Sequence, residues 1–424
     1  MNIITTILLG LIYFISLFFA IFWLLVFLTK NDIPKQKKMK TLPRITVAIP
    51  AFNEEASIQQ TIASVIALDY PKNKIEIIII NDGSTDATAE KVKQVIAEYT
   101  QTNVHPNFNS KIILLNQKNA GKGAALNNAI KHASGKYFIC LDADSFVEKN
   151  ALKKMLPYFS SPEIAAVIPM LKVKDPKNLL QRLQWYEYVI NMFYKELMGK
   201  LDCVHVVPGP FSVYDKKILQ KIGGFEEHNM TEDLEIAFRL QSKHYRIIQL
   251  LNTEVLTLAP ETMDELVKQR NRWFKGATIN AYNYKNMLFN KKYGDFGMIQ
   301  VPSVLFSGVI AIILFFTLIY YAVKPYVLYF YHMGYVHFDF FTMLRDFTIN
   351  FQILDLNFFS IFMAVVMFIV TMYVLKNSIV ATQERFFKYG SITIFFYLFF
   401  YFLLLGVIWV KVFGEMLIGK KQRW

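Results

Sequence analysis

Four stretches of the chain are apolar over a length that suits a bilayer. Residues 3–28 (IITTILLGLIYFISLFFAIFWLLVFL) contain no charged side chain, and a helical span needs about 20 residues. Residues 303–322, 358–375 and 391–410 repeat that character toward the C-terminus. Between the first two runs the pattern changes. RITVAIP (44–50), IEIIII (75–80), KIILL (111–115) and KYFICL (136–141) are short, β-branched apolar runs, and helical spacing over 54–68, 86–100 and 122–133 alternates with them. Such alternation predicts an α/β domain with a mostly parallel sheet and helices on its faces. Ligands bind such sheets beyond the carboxyl ends of the strands. Residues 178–198 and part of 262–290 mix apolar and polar positions at helical spacing. Both suit helices lying in the cytosolic interface, although burial against the domain serves the first equally well. The expected organisation is a transmembrane helix over 1–29, a cytosolic domain with interface helices over 30–290, and a membrane region over 291–424. That last region carries about three spans on this reading.

Charge orients the chain. No small-residue cleavage site follows the first span, so a retained anchor is expected rather than a signal peptide. Lys30, Lys35, Lys37, Lys38, Lys40 and Arg44 stand against Asp32 alone just after it, which puts that side in the cytosol. The net charge of +13 thus has a membrane explanation. No basic groove with interleaved aromatics points to a nucleic-acid partner. The C-terminal tail conflicts with a simple count, because three further spans would leave Lys411, Lys420, Lys421 and Arg423 outside. Either one C-terminal segment does not fully cross, or the aromatic loop 325–357 dips into the membrane. Cys140 and Cys203 are the two cysteines; they form no disulfide framework and no metal spacing, and suit a reducing compartment.

The predicted strand ends are polar. The first runs into PAFNEE (50–55), the second into NDGSTD (81–86) and the fourth into DADS (142–145). Asp82-Gly83 reads as a tight turn, with Ser84, Thr85 or Asp86 capping the next helix. Asp142 and Asp144 place two carboxylates around one alanine, a crowding that a cation or a solvated turn must relieve. Oxygen ligands with open positions suit Mg²⁺ or Mn²⁺ shared with a substrate phosphate. NQKNAGKGAALNNAI (116–130) brings Lys122 to a helix N-terminus, a place for an anion or simply a loop. In NMTEDLEIAFRLQ (229–241), Thr231 reads as an N-cap, with Glu232 and Asp233 favourable in the first turn of any helix. KQRNRW (268–273) sets Gln269, Arg272 and Trp273 on one helical face, with Arg270 and Asn271 pointing elsewhere.

PAFNEE, NDGSTD, NAGKGAALN, DADS, GGF (223–225), TED (231–233) and QRNRW occur here in the order found in processive family-2 glycosyltransferases, the membrane synthases of cellulose, hyaluronan, chitin and poly-N-acetylglucosamine. MTEDLEIAFRLQ and APETMDELVKQRNRW most resemble the poly-N-acetylglucosamine synthases. The resemblance covers residues 44–276 and extends only loosely to the membrane region. It implies an α/β GT-A domain that transfers sugar from a nucleotide diphosphate donor with inversion. By that resemblance Asn53, Glu55, Asp82, Lys122, Asp142 and Arg272 bind the donor, and Asp144 takes a Mg²⁺ or Mn²⁺ ion. Asp233 is the general base, and Glu232, Gln269 and Trp273 serve the acceptor. Gly209 and Phe211 fall at the family's acceptor-terminus strand, although its usual residues differ there.

The expected function is a membrane-embedded, multi-pass, processive inverting β-glycosyltransferase with its catalytic domain in the cytosol. It elongates a polysaccharide from a UDP-sugar, an N-acetylhexosamine such as UDP-GlcNAc being favoured, and hands it to a membrane path through the lipid bilayer. A non-processive transferase acting on a polyprenyl phosphate is the alternative, and its relatives generally lack the QRNRW signature. A translocation or scaffold subunit with a dead domain is the third reading, against which Asp142, Asp144, Asp233 and Trp273 weigh. Few spans are available for a pore, so a polymer calls for an accessory membrane subunit, a homo-oligomer or a narrow path through one protomer.

Overall fold

The structure, a computed structural model, describes residues 3–29, 41–100, 110–336 and 358–419, together with Pro34, Gln36 and Met39. A long helix α1 (Ile3–Leu28) precedes the α/β domain. The domain opens with β1 (Ile45–Ala51), α2 (Ile58–Ile66), β2 (Ile75–Asp82), α3 (Thr88–Thr100), β3 (Lys111–Gln117), α4 (Lys122–His132) and β4 (Tyr137–Cys140). It continues through β5 (Ser145–Val147), α5 (Ala151–Met155), β6 (Ile164–Val173), α6 (Leu179–Lys200), β7 (Ser212–Asp215), α7 (Lys216–Lys221), α8 (Glu232–Ser242), β8 (Arg246–Thr257) and α9 (Met263–Asn283).

One eight-stranded sheet, in the order β3-β2-β1-β4-β7-β6-β8-β5, organises the domain. The strands expected from the sequence form its parallel half, with Val47 opposite Ile77 on one side and Ile139 on the other. The second half is mixed, and the expectation of a mostly parallel sheet holds only for the first: β7 runs antiparallel to β4 and β6, while β8 is parallel to β6 and antiparallel to β5. β2 is buried at every position, as suits a parallel strand covered on both faces. Each wholly buried isoleucine in Ile77–Ile80 contributes about 1.5–3 kcal/mol by leaving water. β3 is partly open because it forms the sheet edge. Cys140 is a buried core residue.

The membrane region contains α10 (Val301–Met333), α11 (Phe358–Ala381), α12 (Gly390–Phe396) and α13 (Phe402–Leu417), the last two joined by a π-helical turn, Tyr397–Tyr401. By length and composition four described segments suit a membrane: Gly10–Leu28, Phe296–Met333, Ile361–Ala381 and Gly390–Leu417. α10 continues through Pro325 to Met333, so the first part of the expected loop 325–357 is helical instead; residues 337–357 and the tail Lys420, Lys421 and Arg423 lie outside the described residues.

α6 joins the two regions. Its Trp185, Tyr186 and Val189 pack with Leu375 and Ile379 of α11 and Ile394 of α12. Near its end Lys200 Nζ donates to the carbonyls of Phe27 at 2.9 Å and Thr29 at 3.0 Å, a cation on the last turn of α1 where the helix dipole favours one.

Candidate active site

The loops after β1 and β2 are stitched together at one end of the cleft. Asn53 takes a left-handed conformation (φ 56°), which asparagine tolerates better than most residues. Its Oδ1 accepts from the Thr85 amide at 2.8 Å, and its own amide donates to Ser84 Oγ at 3.1 Å. Glu55 Oε2 accepts from the Ala87 amide at 2.9 Å. Asp86 caps α3, accepting from the Thr88 amide at 3.0 Å. Asp82, at the buried end of β2, accepts from the amides of Ala120 and Gly121, both at 2.9 Å, and from Gln117 Nε2 at 2.8 Å. It therefore shapes the loop that delivers Lys122 to the first position of α4.

Lys122 bridges two elements. Its Nζ lies 2.7 Å from Asp142 Oδ1 and 2.9 Å from Glu232 Oε1, so two carboxylates share its ammonium in the cleft. A side chain on Gly209 would strike both members of the Lys122–Asp142 pair, and glycine is what lets the 208–211 turn pass beneath them. Phe211, by contrast, is wholly buried at φ 55°, a core residue rather than part of the cleft.

Asp142, Asp144 and Glu54 form an acidic group. Burial, followed by the charge of Asp142, pushes the Asp144 carboxyl up, and Ser145 Oγ donates to its Oδ1 at 3.0 Å. Burial pushes Glu54 up to about 7, and the charges of Asp144 and Asp142 add to that shift. Glu54, not the exposed Glu55, is thus the carboxylate of PAFNEE that faces the aspartates. Among the described residues no group of three or more His, Cys, Asp or Glu side chains is placed to hold a metal ion by itself. The charge of Asp142 helps raise both Glu54 and Asp144, so with the one ammonium of Lys122 on Asp142 these carboxylates are an oxygen-only donor set short of positive charge. That chemistry fits a divalent cation completed by substrate oxygens.

Asp233 enters from the other side on the first turn of α8. Its carbonyl accepts from the Val207 amide at 3.0 Å and its Oδ1 from the Leu234 amide at 2.9 Å. Burial and then the neighbouring Glu232 hold its carboxyl above the usual range, while Lys122 and Arg272 pull the other way. Thr231 occupies the N-cap position but does not cap with its side chain. Its hydroxyl instead accepts from Asn280 Nδ2 of α9 at 3.0 Å. α9 comes this close because a side chain at Gly276 would collide with Thr231. Behind Asp233 lie Lys195, held down to about 8 by burial, and His205, whose Nδ1 meets Gln300 Nε2 at 3.1 Å.

α9 starts with a capping box, Thr262 with Glu265, and carries QRNRW. Arg272 acts electrostatically on Asp233, and Trp273 is partly buried beside Trp185, Tyr186 and Tyr188. Arg270 does not point away as the helical wheel implied. It is wholly buried, its guanidinium lies 4.1 Å from the Trp273 ring centroid, and its Nη1 donates to Gln269 Oε1 at 2.5 Å. Asn271 does point elsewhere, its Nδ2 donating to Glu415 Oε2 at 2.9 Å. Glu54, Arg270 and Lys195 are site neighbours to which sequence reasoning gave no role. Glu54 lies within PAFNEE and Arg270 within QRNRW, whereas Lys195 had no signal there.

Residues 137–410, more than half of the chain, match the family described as Glycosyl transferase family group 2. The chain belongs to the family-2 glycosyltransferases. Residues 46–223 of this glycosyltransferase also match Glycosyl transferase family 2. It is 33% identical over 237 residues to the poly-beta-1,6-N-acetyl-D-glucosamine synthase of Staphylococcus aureus (strain COL), covering 55% of each chain. With the synthase of that name from Staphylococcus epidermidis (strain RP62A) it shares 30% over 274 residues, 62% of this chain and 64% of that one. The glycosyltransferase thus spans less than two thirds of the length of these curated relatives. Its fold is similar to mannosyltransferase PcManGT from Pyrobaculum calidifontis, solved in complex with GDP-Man and Mn2+, with a TM-score of 0.62, 16% identity and 99% of both chains covered. The α/β unit is accordingly a GT-A domain, and the resemblance to poly-N-acetylglucosamine synthases read from the motifs holds.

Proposed function

We propose that this glycosyltransferase elongates a polysaccharide processively, transferring an N-acetylhexosamine from a UDP-sugar with inversion. The observation that carries the reading is the double ion pair of Lys122. It ties the donor-side Asp142 to Glu232, the residue next to Asp233, so donor carboxylates and candidate base share one cleft. Asn53, Glu55 and Asp82 define the nucleoside end through the loops they lock, and Lys122 and Arg272 face the diphosphate. Glu232, Gln269 and Trp273 border the acceptor. As an acceptor hydroxyl oxygen forms its bond to the anomeric carbon, Asp233 takes the hydroxyl proton and the bond to UDP breaks on the opposite face. The guanidinium of Arg272 and the ammonium of Lys122 offset the charge left on UDP. Asp144, with Asp142, would hold a Mg²⁺ or Mn²⁺ ion, whose Lewis acidity stabilises the leaving diphosphate. Identity with poly-N-acetyl-D-glucosamine synthases supports the sugar class. Purified protein, with Mg²⁺ or Mn²⁺ and a panel of UDP-sugars, tests it by UDP release and product size.

A second reading has its own support. A cavity of about 690 Å³ lies between α1, α6, α11 and the turn before α13, walled by side chains such as Phe19, Phe193, Val370 and Leu405. An apolar wall of this kind accommodates an isoprenoid chain, and transfer to a polyprenyl phosphate would yield a solvent-extractable product in the same assay.

We also propose a topology with the GT-A domain cytosolic, as the basic residues after α1 require. Gly390–Leu417 then lies along the cytosolic interface rather than crossing. Before its start, Lys172 pairs with Glu384 at 3.0 Å and Tyr186 Oη donates to the Phe386 carbonyl at 3.0 Å. Near its end, Glu415 accepts from Asn271 and Lys275 of α9. A helix tied to the same domain at both ends does not separate them by a bilayer. This choice gives the membrane region two crossings and leaves the C-terminal lysines on the side their charge prefers. Export of the polymer by an accessory subunit, an oligomer or one protomer belongs to the same proposal.

A further inference from the structure

The buried arginine of QRNRW is joined to two residues far from it in sequence. Arg270 Nη2 donates to Glu187 Oε2 of α6 at 2.5 Å, and Tyr401 Oη donates to that same oxygen at 2.7 Å. The Arg270 charge also acts on the buried Tyr188. Its guanidinium carbon lies over the Trp273 indole, 4.1 Å from the ring centroid, a cation–π contact that strengthens out of water. Tyr401 closes the π-helical turn before α13, and such turns re-aim a side chain by adding a residue to the helix. Glu187, Arg270 and Tyr401 thus bring three helices to the back of one indole.

We infer that Glu187, Arg270 and Tyr401 form a positioning relay that sets the tilt of the Trp273 ring toward the acceptor sugar, so that the membrane-region helix pair controls acceptor alignment. The inference rests on the reading of Trp273 as acceptor platform. The planar guanidinium is oriented by its bonds to the Glu187 carboxylate and Gln269 while it lies over the indole. Glu187 in turn is held by the Tyr401 hydroxyl. Loss of either outer member frees the guanidinium to turn, and the ring with it. Donor groups on the opposite wall of the cleft are untouched.

The test uses the full chain in detergent and compares Glu187→Gln, Tyr401→Phe and Trp273→Ala. For each, transfer to an acceptor oligosaccharide, UDP release by hydrolysis without acceptor, and the thermal midpoint are measured. The ¹⁹F resonance of Trp273 in 5-fluorotryptophan-labelled protein, assigned with Trp273→Phe, reports the ring itself. Glu187→Gln is expected to lower transfer by about tenfold to a hundredfold, the scale of an ångström-level misplacement, with donor hydrolysis and donor KM unchanged and the ¹⁹F resonance moved. Tyr401→Phe acts in the same direction and more weakly. If transfer and hydrolysis fall together with the thermal midpoint, the ion pair is packing only and the relay is wrong. If both outer variants match wild type while Trp273→Ala loses transfer, the relay alone is wrong. Retention of transfer in Trp273→Ala removes the platform itself and the relay with it.

Discussion

Lys122 Nζ and Glu232 Oε1 are 2.9 Å apart, and that contact holds the N-terminus of α4 against the N-terminus of α8. Glu232 is buried, and Lys122 is its ion-pair partner. Lys122→Met should destabilise the fold by roughly 1–3 kcal/mol, less than the full cost of breaking a deeply buried pair because Lys122 and Asp142 are partly open to water. Adding Glu232→Gln should restore part of that stability without restoring turnover. Denaturant unfolding and UDP release on the four members of the cycle check both halves, and additive stability losses would contradict the pair.

Asp233 must be ionised to accept a proton. Burial and Glu232 raise its pKa, so the base is lost as pH falls through a value above the ordinary carboxylate range. The acid limb of turnover against pH should accordingly lie above that range. Asp233→Asn should retain donor binding and lower turnover by on the order of 10²–10⁴. A kcat profile from pH 5 to 9 and a UDP-sugar binding isotherm test the two statements.

Glu54 links the acidic group to stability. Its carboxyl rises from 4.5 to about 7 on folding, so the folded protein binds the extra proton more tightly than the unfolded chain. That contribution is fully present below the unfolded pKa and is lost as pH rises through the folded one. Thermal midpoints should therefore fall between about pH 5 and pH 8. Glu54→Gln should flatten this part of the curve, and Mg²⁺ or Mn²⁺ should raise the midpoint at pH 8. A cation without effect on either melting or UDP release would argue against the metal.

The proposed topology is open to single-cysteine labelling, since Cys140 and Cys203 are both buried. Cysteines placed at Lys388 and at Ile418, which is 77% exposed, should react only from the cytosolic side. One at Tyr335, 71% exposed beyond the end of α10, should react from the other. Opposite labelling of Lys388→Cys and Ile418→Cys would show that Gly390–Leu417 crosses.

Much of the domain was readable along the chain because its signals are local. Continuous β-branched runs became β1 to β4, and helical spacing became α2, α3 and α4 with ends a few residues shorter. The aspartates and TED stood out because strand ends and helix starts are where a GT-A sheet displays its ligand groups. The mixed half of the sheet was not readable, since the four-residue β7 and the pairing of β6 with β8 depend on partners distant in sequence. Periodicity placed Gln269, Arg272 and Trp273 on one face, but a helical wheel has no knowledge of what packs against it. Only the tertiary structure brings Glu187 and Tyr401, 214 residues apart, onto Arg270, and only it turns Glu54 rather than Glu55 toward Asp142 and Asp144. Which chemical groups are present, and which elements carry most of them, could be read along the chain. The structure decided which of those groups meet, because burial and long-range pairing set side-chain direction wherever neighbours in space are not neighbours in the chain.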